Sequence, residues 1–476
     1  MQLYDCVKKE NSGLKDQKGH RVTFNIATFS SVSPKVLIST TKFYSHPKLP
    51  SMLHKMRTKF KNSTNTEDKK RLVSNFFSLS VLQGTNYILP LFTLPYLVRV
   101  LGAEYFGLLS FASATVAYFG IITDYGFNLT ATREISIHRA NHEKVKEIFS
   151  SVMTIKVALL LLSFFLLSVL VFSFEKFSKD WVIYLLTFGT IVGQFLFPVW
   201  FFQGMERMKY IAYFNILAKS IFTAAIFIFI QEQNDYYLVP ILTSLGFIVT
   251  GIWSLWLVKK EFNVEFKWQS SHILKNHLIQ GWHMFLTSIQ SNILSSSGVF
   301  VLGLFQNNET VGYYSAVEKV AKAFVGLFSP ATQALFPLVS AKLSLSKKQG
   351  KNFLIKAGLI ILLFAFLISI IMTIFSGKIV ILVLGVKFVE YDFILKILSI
   401  WLFFGVLNNF IGIQYLTGIG CSRYYLKSSF LSGLIAMVLF LFLTPLISIY
   451  GILAGMVAAE IALTVIMVYS IKRNSL

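Results

Sequence analysis

Ionisable side chains interrupt the long apolar runs of this 476-residue chain at only a few places. Asp124, Lys219, Glu318, Lys319, Lys322, Lys396 and Glu460 lie inside such runs, and Arg99 closes one. A charge at the centre of a bilayer costs about 2.5–3.5 kcal/mol on insertion scales, so it persists where it faces a polar cavity or an opposite charge. Lysines in that position suit an anionic cargo. Carboxylates suit the uptake and release of a proton or cation, and Asp124, Glu318 and Glu460 are the candidates for ion coupling. Each group also has a plainer use. Glu318 and Lys322 are i,i+4 and can neutralise each other. Asp124, in the stretch TDYGFNL, can cap a helix break at Gly126 or pair with Arg133, and Glu460 is equally ambiguous. Lys396 and Lys156, near span ends, can extend to the headgroups.

Depth separates the lysines. A helix rises about 1.5 Å per residue, so a span entering near Tyr210 carries Lys219 roughly 14 Å down, close to the midplane. A span entering from the other side near Gly312 carries Lys319 and Lys322 roughly 10–15 Å down. Those two are i,i+3 and share a face. Both halves of the chain thus offer positive charge at similar depth, and an anion passing between them would meet it. Gln83, Asn86, Gln203, Gln290, Asn292 and Asn409 are polar groups able to meet a sugar.

Catalysis has no comparable signal. His138 and His142 are i,i+4, but no Glu stands between them in an HExxH arrangement and no third ligand is apparent, so surface histidines are expected and no metal. GxGxxG, Walker A and GxSxG motifs are missing, and no cofactor is implied. Loops on one side are too short to house a periplasmic polymerase or ligase. Cys6 and Cys421 are the only cysteines, too few for a disulfide framework or a thiolate metal site.

These residues are carried by apolar helices. The chain is 55% hydrophobic and only 14% charged, against about a quarter charged in soluble domains. Mean hydropathy is +0.64. Spans of about 20 apolar residues cross the hydrocarbon as helices, and twelve are expected: 73–99, 105–132, 147–174, 181–204, 210–231, 236–259, 281–305, 312–341, 353–376, 390–417, 423–446 and 449–471. The fold class is therefore all-α, a polytopic membrane protein. Pro90, Pro95, Pro198, Gly326, Pro330 and Pro337 are expected to kink spans. An amphipathic linker at 261–280 separates an N-terminal lobe (72–260) from a C-terminal lobe (281–476). Residues 1–71 read as a polar, disordered extension without a signal-peptide core, so the first span acts as an uncleaved anchor. Met52 and Met56 lie inside this extension, and initiation at Met56 would leave only a short basic tail.

The net charge of +22 would suit nucleic acid in a soluble protein, but it sits in the N-terminal extension and in short loops. Counted on alternate sides of the spans, 34 Lys/Arg fall on one side. Only Arg99, Lys176, Lys179, Lys378 and Lys387 fall on the other. Basic residues stay cytoplasmic, so both termini are expected inside, with membrane lipids as partners and nucleic acid excluded. The halves also look related. At a constant offset of 205, Glu104, Gly107, Ser110 and Phe119 fall on Glu309, Gly312, Ser315 and Phe324. The loops after spans 4 and 10 read Gly204-x4-Lys209-Tyr210 and Gly418-x4-Arg423-Tyr424. Parallel repeats of this kind suit alternating access.

The stretches LPYLVRVLG (94–102), EYFGLLSFA (104–112) and DYGFNLTATREIS (124–136) resemble the polysaccharide-transporter family. These are the O-antigen flippases of the multidrug/oligosaccharidyl-lipid/polysaccharide exporter superfamily. PVWFFQGMERMK (198–209) and VGYYSAVEK (311–319) resemble it too. The resemblance covers about 72–471; the 1–71 extension departs from it. It implies two six-helix lobes around a central cationic cavity in a bacterial inner membrane. There the protein would move an undecaprenyl-pyrophosphate-linked oligosaccharide from the cytoplasmic to the periplasmic leaflet, near polymerase and chain-length proteins of glycan assembly. Arg99, Asp124 and Arg133 carry over from the motif positions. Lys219, Lys319 and Lys322 rest on the depth argument, and Lys396, an ionisable group within a span, is a further cavity candidate. A drug or small-metabolite exporter of the same superfamily, or a non-transporting scaffold, are the alternatives.

Overall fold

The computed structural model describes residues 66–474, with the side chains at 66–88, 90–91, 280, 283 and 287–296 outside the description. The expected extension at 1–71 therefore lies almost wholly outside the described residues, as do the side chains of Gln83, Asn86, Gln290 and Asn292. Two units are distinguished, Met1–Phe76 and Phe77–Leu476; the spans fall in the second.

All regular elements among the described residues are helical. In hydrocarbon a helix satisfies every backbone N–H and C=O within one segment, which strands achieve only by closing a barrel. The chain runs α1 (Thr66–Asp124), α2 (Phe127–His138), α3 (His142–Ser173), α4 (Glu175–Ser178), α5 (Trp181–Leu196), α6 (Val199–Gly204), α7 (Met208–Phe229) and α8 (Leu238–Phe262). The second half holds α9 (Ser271–Phe305), α10 (Asn308–Gly326), α11 (Ser329–Leu345), α12 (Lys347–Ile374), α13 (Ser376–Leu384), α14 (Asp392–Asn408), α15 (Ser422–Ile447) and α16 (Ile449–Asn474). Helix occurs at each of the twelve expected places. Ten segments among the described residues are long and apolar enough to cross a membrane.

Local sequence explains the ends. Asn141, Asn307 and Ser346 cap α3, α10 and α12 by accepting from the backbone N–H of Lys144, Thr310 and Gln349, satisfying donors that a helix start leaves open. Gly102 breaks α1 with φ 74, a conformation costly for a residue with a Cβ. The expected kinks are only partly realised. The chain leaves helical form at Phe197–Pro198 and between Gly326 and Ser329, whereas Pro90, Pro95 and Pro337 stay inside continuous helix. The linker also differs from expectation. Asn263, in a left-handed conformation (φ 51), ends α8, but from Ser271 onward the chain is already α9, which continues unbroken into the next span.

The lipid-facing surface is apolar: Leu161, Phe165, Leu363 and Phe366 are all more than half exposed. Inside, the two halves meet at the end away from the basic loops. A Cβ on Gly107 of α1 would overlap the carbonyl of Asn308 in α10, and one on Gly312 of α10 would overlap the carbonyl of Ala103 in α1. With the offset of 205, Ala103 corresponds to Asn308 and Gly107 to Gly312, so this contact is reciprocal between equivalent residues. Small residues let membrane helices approach this closely. Beside it, Arg99 donates to the Leu382 carbonyl at 2.9 Å and Lys176 to the Gln306 carbonyl at 2.7 Å. At the basic end Tyr125 stacks on Phe285, with ring centroids 4.7 Å apart, and donates to the Leu278 carbonyl. Glu134 there meets His277 at 3.2 Å.

A side chain at either crossing glycine must push the helices apart, and overpacking costs about 1–3 kcal/mol. Gly107→Leu and Gly312→Leu are each expected to lower the melting temperature of the detergent-purified protein, with the double variant losing less than the sum because both act on one contact. Unchanged melting in both single variants would show that the crossing has room to spare.

Candidate substrate cavity

The last turns of α1 run from Ser113 to Asp124 along a cavity of about 700 Å³ within the first half. Its polar lining comes from Asp124, Asn128, Lys156, Gln194, Asn215 and Lys219. Asp124 is held where α1 stops, because Tyr125 and Gly126 that follow are both left-handed (φ 49 and 75). Gly126 is irreplaceable there on two counts: its φ, and the Met284 backbone, which would stand 2.8 Å from a Cβ.

Asp124 accepts from Lys156 of α3 at 3.4 Å. Lys156 is only 4% exposed, so it does not extend to the headgroups. The carboxylate finds its partner there, while Arg133 is exposed on α2 and lines neither this cavity nor the one in the second half. Lys219 lines the same cavity from α7. Two lysines and one aspartate leave the lining net positive.

Lys319 lies elsewhere. It projects from α10 toward α1, where its ammonium donates to Ser110 Oγ at 3.4 Å and stands 4.4 Å from the Phe106 ring centre. No carboxylate among the described residues lies within ion-pair distance of it. Ser110 and Ser113 are i,i+3 on α1, about 5 Å apart on one face, and Ser113 lines the cavity of the first half. The ammonium of Lys319 therefore sits about one helical turn from that cavity's edge without being part of its lining. Lys322 pairs with Glu318 at 3.0 Å, and Tyr314 also donates to that carboxylate, so the i,i+4 alternative is realised.

The remaining candidates are distributed. Lys396 forms an ion pair with Asp392 at 2.9 Å instead of reaching for headgroups. Arg99 ties the halves through Leu382. Gln203 accepts from Thr132 at 3.4 Å, joining α6 to α2. Glu460 of α16 accepts from Asn408 of α14 at 2.6 Å, and Asn408 in turn accepts from Thr464. No Lys or Arg among the described residues is within ion-pair distance of Glu460. Asn409 begins a π-helix, Asn409–Thr417, beside a cavity in the second half. Sequence reading missed Asn128, Gln194 and Asn215 in the first cavity. Like Asp124 and Lys156, they are polar residues inside or bordering apolar runs, which is the one signal that could have found them. His138 is half-buried and His142 exposed, and no cluster of metal-ligating residues occurs among the described residues.

The sequence pattern of the family described as polysaccharide biosynthesis protein matches residues 72–343. A protein of Escherichia coli (strain K12) provisionally named an O-antigen transporter is 30% identical over 409 residues, covering 86% of this chain and 99% of that protein. The chain belongs to the polysaccharide biosynthesis protein family. Another relative with the same provisional name, from Shigella dysenteriae, is 27% identical over 56% of this chain and 67% of its own length. The fold of this family member is that of solved transporters. A structure of the lipid II flippase MurJ in an inward closed conformation aligns with a TM-score of 0.68 at 16% identity, covering 83% of this chain and 87% of that one. An inward-facing multidrug resistance MATE transporter of the MOP superfamily aligns with 0.63 at 15%, covering 81% and 94%. Membership agrees with the expectation of a multi-pass membrane transporter that is not an enzyme.

Removing Lys156 leaves Asp124, 29% exposed at the cavity, uncompensated, at a cost below the roughly 3–5 kcal/mol of a fully buried pair. Lys156→Met is therefore expected to lower the melting temperature markedly, and Lys156→Met with Asp124→Asn to recover most of the loss. A double variant no more stable than Lys156→Met alone would show that the pair is not the source of the effect.

Proposed function

We propose that this protein is a flippase that carries an undecaprenyl-pyrophosphate-linked oligosaccharide, an O-antigen or similar repeat unit, across the inner membrane by alternating access. The support is fourfold: family membership, the names of the sequence relatives, a fold shared with a lipid flippase, and the position of Lys319. That last observation carries the reading. An ammonium between the two halves, with no described carboxylate within ion-pair distance, is a group that an anion can complete. Lys219 adds positive charge inside the first half, and Lys322 adds more once Glu318 is protonated or displaced. A diphosphate in a low-dielectric cavity needs such compensation, since uncompensated transfer costs several kcal/mol per ion. An organic cation would be repelled by the same groups, which disfavours a drug exporter.

In this reading the basic end faces the cytoplasm and both termini lie there. The halves act as lobes, 72–260 and 281–476, preceded by the 1–71 extension. The Gly107–Gly312 crossing closes the outer end and the carrier enters from the inside. The polyprenyl tail stays in the bilayer. Asp124, Glu318 and Glu460 are the groups that would exchange a proton or cation as the lobes rock. Arg133, exposed at the basic end, would meet the headgroup on entry. Glycan polymerase and chain-length proteins would act on the product.

Lys319→Ala and Lys219→Ala are each expected to lower surface glycan by at least about tenfold, equivalent to about 1.4 kcal/mol of lost binding, with unchanged amounts of protein in the membrane. In proteoliposomes the same variants should fail to move a labelled lipid-linked sugar. Wild-type glycan in both single variants would overturn the anionic-cargo mechanism.

A further inference from the structure

The second half holds its own cavity of about 490 Å³, between α10–α11 on one side and α14 with its π-helical continuation on the other. Small-molecule sites commonly measure about 300–1,000 Å³. No Asp, Glu, Lys or Arg lines this one. Its polar groups are Ser329, Gln333, Asn409 and Gln414, and Phe328 and Phe336 supply ring faces.

Three observations point to a ligand. First, α14 passes into a π-helix over Asn409–Thr417, a rare winding that concentrates at functional sites. Second, Gln414 on that segment is 1% exposed and donates through Nε2 to the Thr332 carbonyl at 2.8 Å. A carbonyl only accepts, so this bond fixes which end of the amide is nitrogen. Gln414 Oε1 is then a buried acceptor that takes no hydrogen bond among the described residues, a state that costs about 1–3 kcal/mol. Third, Gln333 is exposed well inside the candidate span Asn308–Leu345. An amide turned to hydrocarbon is unfavourable, so Gln333 borders a polar space.

The chemistry of this lining is neutral. Amides and a hydroxyl offer both donors and acceptors, and rings flank them. A phosphate would find no positive charge here, and a purely apolar compound would offer the exposed Gln333 amide no hydrogen bond. A sugar ring suits both conditions, because each hydroxyl donates and accepts while the C–H faces lie against aromatic rings. Position fits as well. Ser329 and Gln333 follow Lys322 by only seven and eleven residues, across the short break after Gly326, so a group attached to a diphosphate held near Lys319 and Lys322 can reach them. We propose that this cavity is the sugar subsite, taking an uncharged ring of the oligosaccharide while the diphosphate stays at the lysines. The proposal rests on the flippase reading above.

The test uses the full chain in lipid nanodiscs and two probes: undecaprenyl diphosphate alone, and the same carrier bearing the repeat unit extracted from the host strain. Wild-type protein is expected to bind the glycosylated carrier about five- to tenfold more tightly, the worth of one or two net hydrogen bonds. Gln333→Leu and Asn409→Leu should bring that ratio to about one and leave affinity for the bare carrier unchanged. Gln333→Ala, at an exposed position, guards against a folding defect. An unchanged ratio in all three variants, or no preference in the wild type, overturns the subsite. Lys319→Ala should weaken both probes equally. Wild-type protein that binds neither probe overturns the flippase reading itself, and the subsite with it.

Discussion

Backbone meets backbone where α1 crosses α10, and the rest of the architecture depends on that approach. Only glycine at 107 and 312 permits it, and equivalent residues of the two halves supply both sides of the contact. This closeness brings Lys319 within reach of Ser110 and Phe106, and the neighbouring Arg99 and Lys176 within reach of carbonyls across the boundary. Wider side chains would separate the halves and take those cations out of reach of the groups they now meet. Helix packing and electrostatics are thus one problem here, solved by the absence of two side chains.

Charge placement follows the cost of desolvation. Most ions inside the spans have a nearby counter-charge: Asp124 with Lys156, Glu318 with Lys322, Asp392 with Lys396. Such pairs hold a structure without advertising a ligand. Lys319 and Glu460 differ, since their described hydrogen-bond partners are neutral. The first lies between the halves and the second inside one of them.

Helix, its approximate places and the repeat were legible in the sequence, because bilayer thickness imposes span length and an apolar run announces itself. The equivalence of Gly107 with Gly312 was legible too, but not that the two touch; a repeat says which residues correspond, not which meet. Lys156 was misread because its partner stands 32 residues earlier on another helix, a tertiary relation that periodicity does not encode. Pro337 was expected to break its span and instead lies within one continuous helix, since a proline removes one backbone bond and can bend a helix without ending it. The π-helix at Asn409–Thr417 had no local signature, as nothing in NFIGIQYLT forbids ordinary winding. Neutral polar groups such as Gln333 and Gln414 drew no notice beside charged ones, although their burial or placement proves as informative.

The seam at the Gly107–Gly312 crossing has one further property. At the crossing itself the contacts are main-chain surfaces, and beside it Arg99 and Lys176 rest on carbonyl oxygens with no carboxylate within ion-pair distance among the described residues. Water can take over each of those carbonyl bonds as the seam parts, and the glycine faces expose little apolar area. Parting therefore strands no bare ion in hydrocarbon. The two sides are fastened more like a zip than a lock: firm while aligned, yet without any single bond whose rupture must be driven from outside.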